Sequence, residues 1–199
     1  MRQFEKLVLA SGSAARLALL EAAGLRVTVA PADVDEDEIK RRFAGLSVET
    51  VAAALADAKA SHAARLTPEA LVIGADQILV CDGRRFDKPR STDEARSHLV
   101  ALRGREHRLV SAAVCRRGRE RLWLHVASPS LAMRDFSDAF LDDYLAAEGM
   151  AAKQTVGAYR LEGLGIRLFE RVEGEHGSIL GLPMLPLLSF LQEAGVLAA

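Results

Sequence analysis

Two apolar runs constrain this chain before anything else. Residues 6–10 (KLVLA) and 70–75 (ALVIGA) each have the length of a strand, and each stops on a polar island. Ser11-Gly12-Ser13, with Arg16 one turn on, follows the first run, and Asp76-Gln77 follows the second. An almost continuous apolar strand is one covered on both faces, so residues 70–75 belong at the centre of a sheet flanked by helices. Polar groups at the end of such a strand lie where α/β folds hold ligands.

The rest of the chain reads as alternating elements around these two strands. Ser11-Gly12-Ser13 makes a turn and cap, and an Ala/Leu/Arg helix over residues 14–23 stops at Gly24. A helix start of this kind presents unpaired N–H groups and a positive dipole end, both suited to an anion. A second strand over residues 26–30 runs into the acidic stretch Asp33-Val34-Asp35-Glu36-Asp37-Glu38, at least one of whose carboxylates is expected to point into a site while the rest face water. Residues 48–65 carry apolar positions at helical spacing.

Asp82-Gly83 marks a hairpin, and Ser91-Thr92-Asp93-Glu94 is a capping box for a helix reaching residue 102. Residues 108–115 and 121–136 are strands joined at Arg117-Gly118-Arg119, the second broken at Pro129. A helix over 137–147 stops at Gly149, an apolar strand follows at 166–169, and a last helix covers 183–195 with Pro183 at its start. The pattern predicts one α/β domain over residues 1–199 with a mixed sheet, drawn into two lobes around a groove.

Composition removes several function classes. A formal charge of -1 gives no global attraction to nucleic acid, and the arginines at 84–85 and 116–121 read as solvated hairpins. The two cysteines, Cys81 and Cys115, have no partner at metal-binding spacing and read as buried thiols. The five histidines form no HxH or HExxH pattern, and neither a nucleophile elbow nor a Walker loop occurs. With no apolar stretch long enough to span a bilayer, a cytoplasmic protein without a membrane partner is expected.

What remains are parts suited to a phosphorylated ligand and its metal. Asp76 can bind a divalent cation or orient a water, or else cap a turn. Lys88 is held extended by Pro89 and is either a phosphate-directed cation or a solvated loop lysine. Lys59 lies among alanines on a helix, where most lysines face water. Arg16 can reach over Ser11 and Ser13 as a two-pronged phosphate clamp, or pair with the acidic stretch. Asp33, Asp35 and Glu36 are alternatives for a second carboxylate, and Asp33 with Asp76 would hold Mg²⁺ through hard oxygen ligands. Gln77 and Glu162 can each read a base edge or serve as structural hydrogen-bonding groups.

Taken together, LASGSAARLALL (9–20), PADVDED (31–37), ADAKA (56–60), VIGADQ (72–77), FDKP (86–89), VGAYRLEGLG (156–165) and GLPMLPL (181–187) resemble, in order and over nearly the whole chain, the Maf family of nucleoside triphosphate pyrophosphatases. The resemblance implies an elongated α/β fold with a deep groove between two lobes, a homodimer, and Mg²⁺- or Mn²⁺-dependent cleavage between the α and β phosphates. It puts Ser11, Gly12, Ser13, Ala15 and Arg16 in the phosphate-binding turn, Asp33 in the acidic metal site, and Lys59 and Lys88 against phosphate. Asp76 becomes the general base and metal ligand.

The same resemblance makes Gln77 and Glu162 base-selecting, as in the branch acting on 7-methyl-GTP. The chain departs from the family at Ala14 and Ala15, where Pro and a larger residue are usual, and at Asp33, where glutamate is usual. A nucleotide-binding regulator of cell division with weak catalysis is the alternative these departures leave open.

Overall fold

The computed structural model describes residues 2–198. In chain order the elements are β1 (Leu7–Leu9), α1 (Ala14–Ala22), β2 (Val27–Val29), α2 (Glu36–Arg42), α3 (Val48–Leu66), β3 (Leu71–Cys81), β4 (Arg84–Phe86) and α4 (Thr92–Leu102). They continue as β5 (Glu106–Arg117), β6 (Glu120–Ala127), β7 (Ser130–Met133), α5 (Asp138–Glu148), β8 (Phe169–Glu173), α6 (His176–Ile179) and α7 (Met184–Glu193). Short 3-10 turns fill Gly149–Lys153, Val156–Ala158 and Leu164–Leu168.

The hydrogen-bonded strand order is β2-β1-β3-β5-β7-β8, with β4 pairing β3 and β6 pairing β5. The β1/β2 and β1/β3 pairs are parallel, in register Leu7↔Val27 and Leu7↔Leu71. The β3/β4, β5/β6, β5/β7 and β7/β8 pairs are antiparallel. This is the mixed sheet flanked by helices that the run pattern predicts. No helix among the described residues is long and apolar enough to cross a membrane.

The chain divides into two compact units. The first takes residues up to Gln77, Val110–Ala127 and the segment from Glu175 onward. Its core is built by Leu7 and Leu9 of β1, Leu20 of α1, Leu71, Ile73 and Ala75 of β3, and Leu187 and Leu191 of α7. Side chains alternate across a strand, so Gly74 and Asp76 lie on the β3 face opposite this core. That face carries α3: a Cβ added at Gly74 would sit 2.3 Å from the carbonyl oxygen of Ala56 and 2.7 Å from Ala60 N. Only glycine lets helix and strand approach this closely.

The second unit comprises Ile78–Leu109 and Ser128–Gly174. Its β3–β4 hairpin closes on Asp82 and Gly83, both at positive φ (49° and 75°), the two-residue turn whose twist matches the strands. A polar pair sits in its core, His107 Nε2 at 2.8 Å from Tyr159 Oη, with Phe169 packed against both rings. Burial pushes the His107 imidazole down to about 4, so it stays neutral at pH 7.

Two expectations are corrected, and the acidic stretch gains a helix start. The central strand does not stop at Ala75: β3 runs on to Cys81, and Asp76 and Gln77 lie inside it. Polar residues mimic a strand end in sequence, but here the apolar run resumes at Ile78–Leu79–Val80 and both polar side chains find partners within the fold. Within the acidic stretch Asp35 caps α2, its Oδ1 accepting from Glu38 N at 2.8 Å. Three acids then fill the first turn and Lys40, Arg41 and Arg42 the last, which complements the helix dipole at both ends. Residues 164–168 form a 3-10 turn, and the strand starts at Phe169. Beyond Phe169, β8 is an exposed edge strand with Glu170, Arg171 and Glu173, so it lacks the apolar signature of a strand.

Candidate active site

In the first unit the sequence candidates Ser11, Arg16, Lys59 and Asp76 come together. Asp76 Oδ1 accepts from Lys59 Nζ at 2.6 Å. Lys59 stands on α3, one residue before the Ala60 that rests on Gly74, so the glycine contact that seats the helix also brings the ammonium over the strand. Nζ lies 2.7 Å from Glu36 Oε1 as well. The lysine thereby joins two carboxylates, and its third proton is not used by either.

The acid that reaches Lys59 is Glu36. Asp33 is exposed on the segment between β2 and α2, and Asp35 is spent on its cap. Among the described residues no three His, Cys, Asp or Glu side chains form a ready-made metal cage.

Arg16 is buried and held by a fan of acceptors. Nε donates to Gly181 O at 2.9 Å, and Nη1 donates to Ser11 Oγ at 3.0 Å and Ala75 O at 2.8 Å. These bonds consume three of its five N–H groups and leave both on Nη2 without an acceptor among the described residues. Ser13 caps α1 by accepting from Arg16 N at 3.4 Å, and its own N–H donates to Ser11 Oγ at 3.3 Å. Gly12 is exposed in this turn and Ala15 half-buried beside it.

The electrostatics follow from burial. Asp76 is held above the ordinary carboxylate value, first by loss of hydration and further by Glu36, while Lys59 and Arg16 oppose the shift. Burial likewise lowers Arg16, and the Asp76 and Glu36 charges work against it. A buried carboxylate that burial makes more basic, between two cations each with donors to spare, is equipped to accept a proton next to an anionic ligand.

Gln77 follows Asp76 on the other face of β3. Its Nε2 lies 2.9 Å from Ser111 Oγ, 2.9 Å from Ile179 O and 3.3 Å from Ser178 O. Lys88 is exposed on the loop between β4 and α4, and Glu162 is exposed in the turn before the 3-10 segment at Leu164, both in the second unit.

Sequence reasoning missed Glu175, which organises this side of the first unit. The Glu175 carboxylate accepts from Ser178 N (2.9 Å), Ser178 Oγ (2.5 Å), Met184 N (3.0 Å) and Leu185 N (3.3 Å). It caps α6 and ties in the start of α7. The chain between them then delivers the carbonyls of Ser178 and Ile179 to Gln77 and that of Gly181 to Arg16. The motif at 181–187 covers the Gly181 end of this segment, but nothing in the sequence sets Glu175 apart from other loop acids.

The family model described as Maf-like protein matches residues 6–194. The chain belongs to the Maf family. This Maf-like chain is 52% identical over 190 residues to a protein of Granulibacter bethesdensis named nucleoside triphosphate pyrophosphatase, covering 94% of this chain and 96% of that one. A second protein of that name, from Gluconobacter oxydans, is 53% identical over 97% of both chains. A Rhizobium meliloti protein named 7-methyl-GTP pyrophosphatase is 48% identical over 97% of this Maf-like chain and 98% of its own.

Proposed function

We propose that this chain is a nucleoside triphosphate pyrophosphatase, hydrolysing a nucleotide between its α and β phosphates to a nucleoside monophosphate and pyrophosphate. The observation that carries the reading is the Glu36–Lys59–Asp76 array beside an Arg16 guanidinium anchored by three hydrogen bonds, set in a Maf-family chain whose relatives bear that name. Asp76 orients the attacking water and takes its proton as the α–β P–O bond breaks and pyrophosphate leaves. Lys59 and the two free Nη2 hydrogens of Arg16 face the developing phosphate charge.

Mg²⁺ or Mn²⁺ fits the donor set, because Glu36 and Asp76 already converge on one cationic group and both are hard oxygen ligands. The proposed metal pair is therefore Asp76 with Glu36 in place of Asp33. The bound ion would neutralise polyphosphate charge and complete its coordination with substrate oxygens and water. Lys88 as a further phosphate cation, Glu162 as a base-selecting residue, a homodimer and a cytoplasmic location rest on the reading of the sequence.

Within the reading, 7-methyl-GTP is the preferred substrate, on the Gln77 and Glu162 pair and the Rhizobium relative's name. Incubation with canonical and 7-methylated triphosphates in Mg²⁺, Mn²⁺ or chelator, with both products identified, tests reaction, metal and base together. Monophosphate plus pyrophosphate only with metal is expected. Nucleotide bound without turnover across the panel would turn the reading to the regulatory binder.

Arg16 carries a prediction of its own. Gly181 has φ +95°, and a Cβ there would meet Arg16 Nε and Nη2 at 3.2 Å. Gly181→Ala should strain the turn and push the guanidinium aside, lowering kcat/KM roughly ten- to a hundredfold without touching substrate. Wild-type steady-state kinetics in this variant would remove Arg16 from the phosphate site.

A further inference from the structure

The orientation of Gln77 follows from its neighbours, and it restricts what the side chain can recognise. Two of the three atoms around Nε2 are backbone carbonyl oxygens, Ile179 O at 2.9 Å and Ser178 O at 3.3 Å, which can only accept. Turning the amide over would bring Oε1 against them, oxygen to oxygen. The third neighbour, Ser111 Oγ at 2.9 Å, is also committed: its own proton goes to Ser178 O at 2.7 Å, so towards Gln77 it acts as an acceptor. Both Nε2 hydrogens are therefore consumed by the protein.

Oε1 has no partner among the described residues, yet it is not one of the buried polar atoms left without one, so solvent or a ligand can reach it. Ser111 itself is fully buried. Its surroundings are fixed in turn by the Glu175 carboxylate, which holds both the N–H and the hydroxyl of Ser178.

We propose that Ser111 is a positioning residue for base selection: with the Ser178 and Ile179 carbonyls it locks the Gln77 amide so that only its carbonyl oxygen faces the ligand. The group recognised there is a hydrogen-bond donor on the base. This rests on the nucleotide reading above and adds the sense of the contact and the residue that enforces it. A free glutamine offers donor or acceptor by a rotation about χ3, and such a side chain discriminates poorly. A locked one leaves an unpaired acceptor whenever the wrong edge is presented.

The test is a double-mutant cycle read as base selectivity. For wild type, Ser111→Ala, Ser111→Thr, Gln77→Leu and Ser111→Ala/Gln77→Leu, kcat/KM is measured with GTP, 7-methyl-GTP, ITP, ATP, CTP and UTP, and Kd by calorimetry with the same set. Thermal unfolding checks that each variant is folded. Ser111→Ala should narrow the ratio between the best and the other bases by about two- to tenfold. The change should fall on KM more than on kcat, and Ser111→Thr, which keeps the hydroxyl, should restore the ratio.

On the Gln77→Leu background the serine substitution should alter selectivity no further, because there is no amide left to hold. Unchanged selectivity in folded Ser111→Ala, or an equal change with and without Gln77, overturns the lock while leaving the pyrophosphatase reading intact. Wild-type protein that neither binds nor hydrolyses any nucleotide overturns both.

Discussion

Asp76→Asn lowers turnover by about 10³-fold, the range lost when a positioned general base is removed, and leaves the protein folded. Asparagine keeps the shape of the side chain and an acceptor for Lys59 Nζ but cannot take a proton. Lys59 retains Glu36 at 2.7 Å, so the helix stays tied down. Because burial raises Asp76 above its unfolded value, its contribution to folding is full below the unfolded carboxylate pKa and is lost as pH rises through the folded one.

Above that folded pKa the ionised side chain is a cost to stability, and the neutral asparagine should unfold at the wild-type temperature or above it. Loss of activity with a retained or raised Tm is the signature of a group kept for chemistry. In the wild type, kcat/KM should fall on the acid side with an apparent pKa above the ordinary aspartate value of about 3.9. Near-normal kcat in Asp76→Asn would end its role as base, and an acid limb at or below the ordinary value would show that the bound ligand or metal, not burial, sets its ionisation.

How far the site could be read from sequence depends on how far apart its parts lie along the chain. Ser11, Ser13 and Arg16 belong to one strand-turn-helix junction, and the cap geometry there is the one their spacing predicts. The Asp82-Gly83 hairpin was legible for the same reason, since an Asp-Gly pair, which tolerates the two positive φ values found there, marks a turn locally. Asp76 was picked out as a polar residue beside an apolar run, but the inferred strand end was an artefact of that polarity. The strand continues because Lys59, 17 residues upstream, supplies the charge that lets a carboxylate sit inside it.

Glu36 shows the next level of difficulty. Three acids were alternatives in sequence and the resemblance chose Asp33; what separates them is the start of α2, for with Asp35 as cap, Glu36 becomes the first helical residue and is the one found at Lys59. Gln77 could not be read at all in this sense. Its partners stand 34, 101 and 102 residues away, on β5 and α6, and no local pattern reports a contact of that range.

Gly74 joins the fold to the site and carries the second large effect. It lies two residues before Asp76 on the same face of β3, under the α3 residues that flank Lys59. Gly74→Ala would place a methyl 2.3 Å from Ala56 O and 2.7 Å from both the nitrogen and Cβ of Ala60. Since a helix backbone cannot turn aside as a side chain can, α3 must lift from the strand. Overpacking of this kind costs about 1 to 3 kcal/mol, which for a protein near 200 residues lowers Tm by roughly 3 to 10 °C. The lift also draws Lys59 from Asp76, and a displacement near 1 Å at a reacting centre can cost about a hundredfold in rate.

Gly74→Ala should therefore lose activity out of proportion to its stability, measured on the folded fraction well below its Tm. Adding Ala60→Gly separates the causes. That change removes the Ala60 methyl but not the Ala56 carbonyl, so the double variant should remain impaired in kcat/KM. Full recovery would mean that side-chain crowding alone sets the helix height, and that α3 is free to settle onto the strand without glycine at position 74.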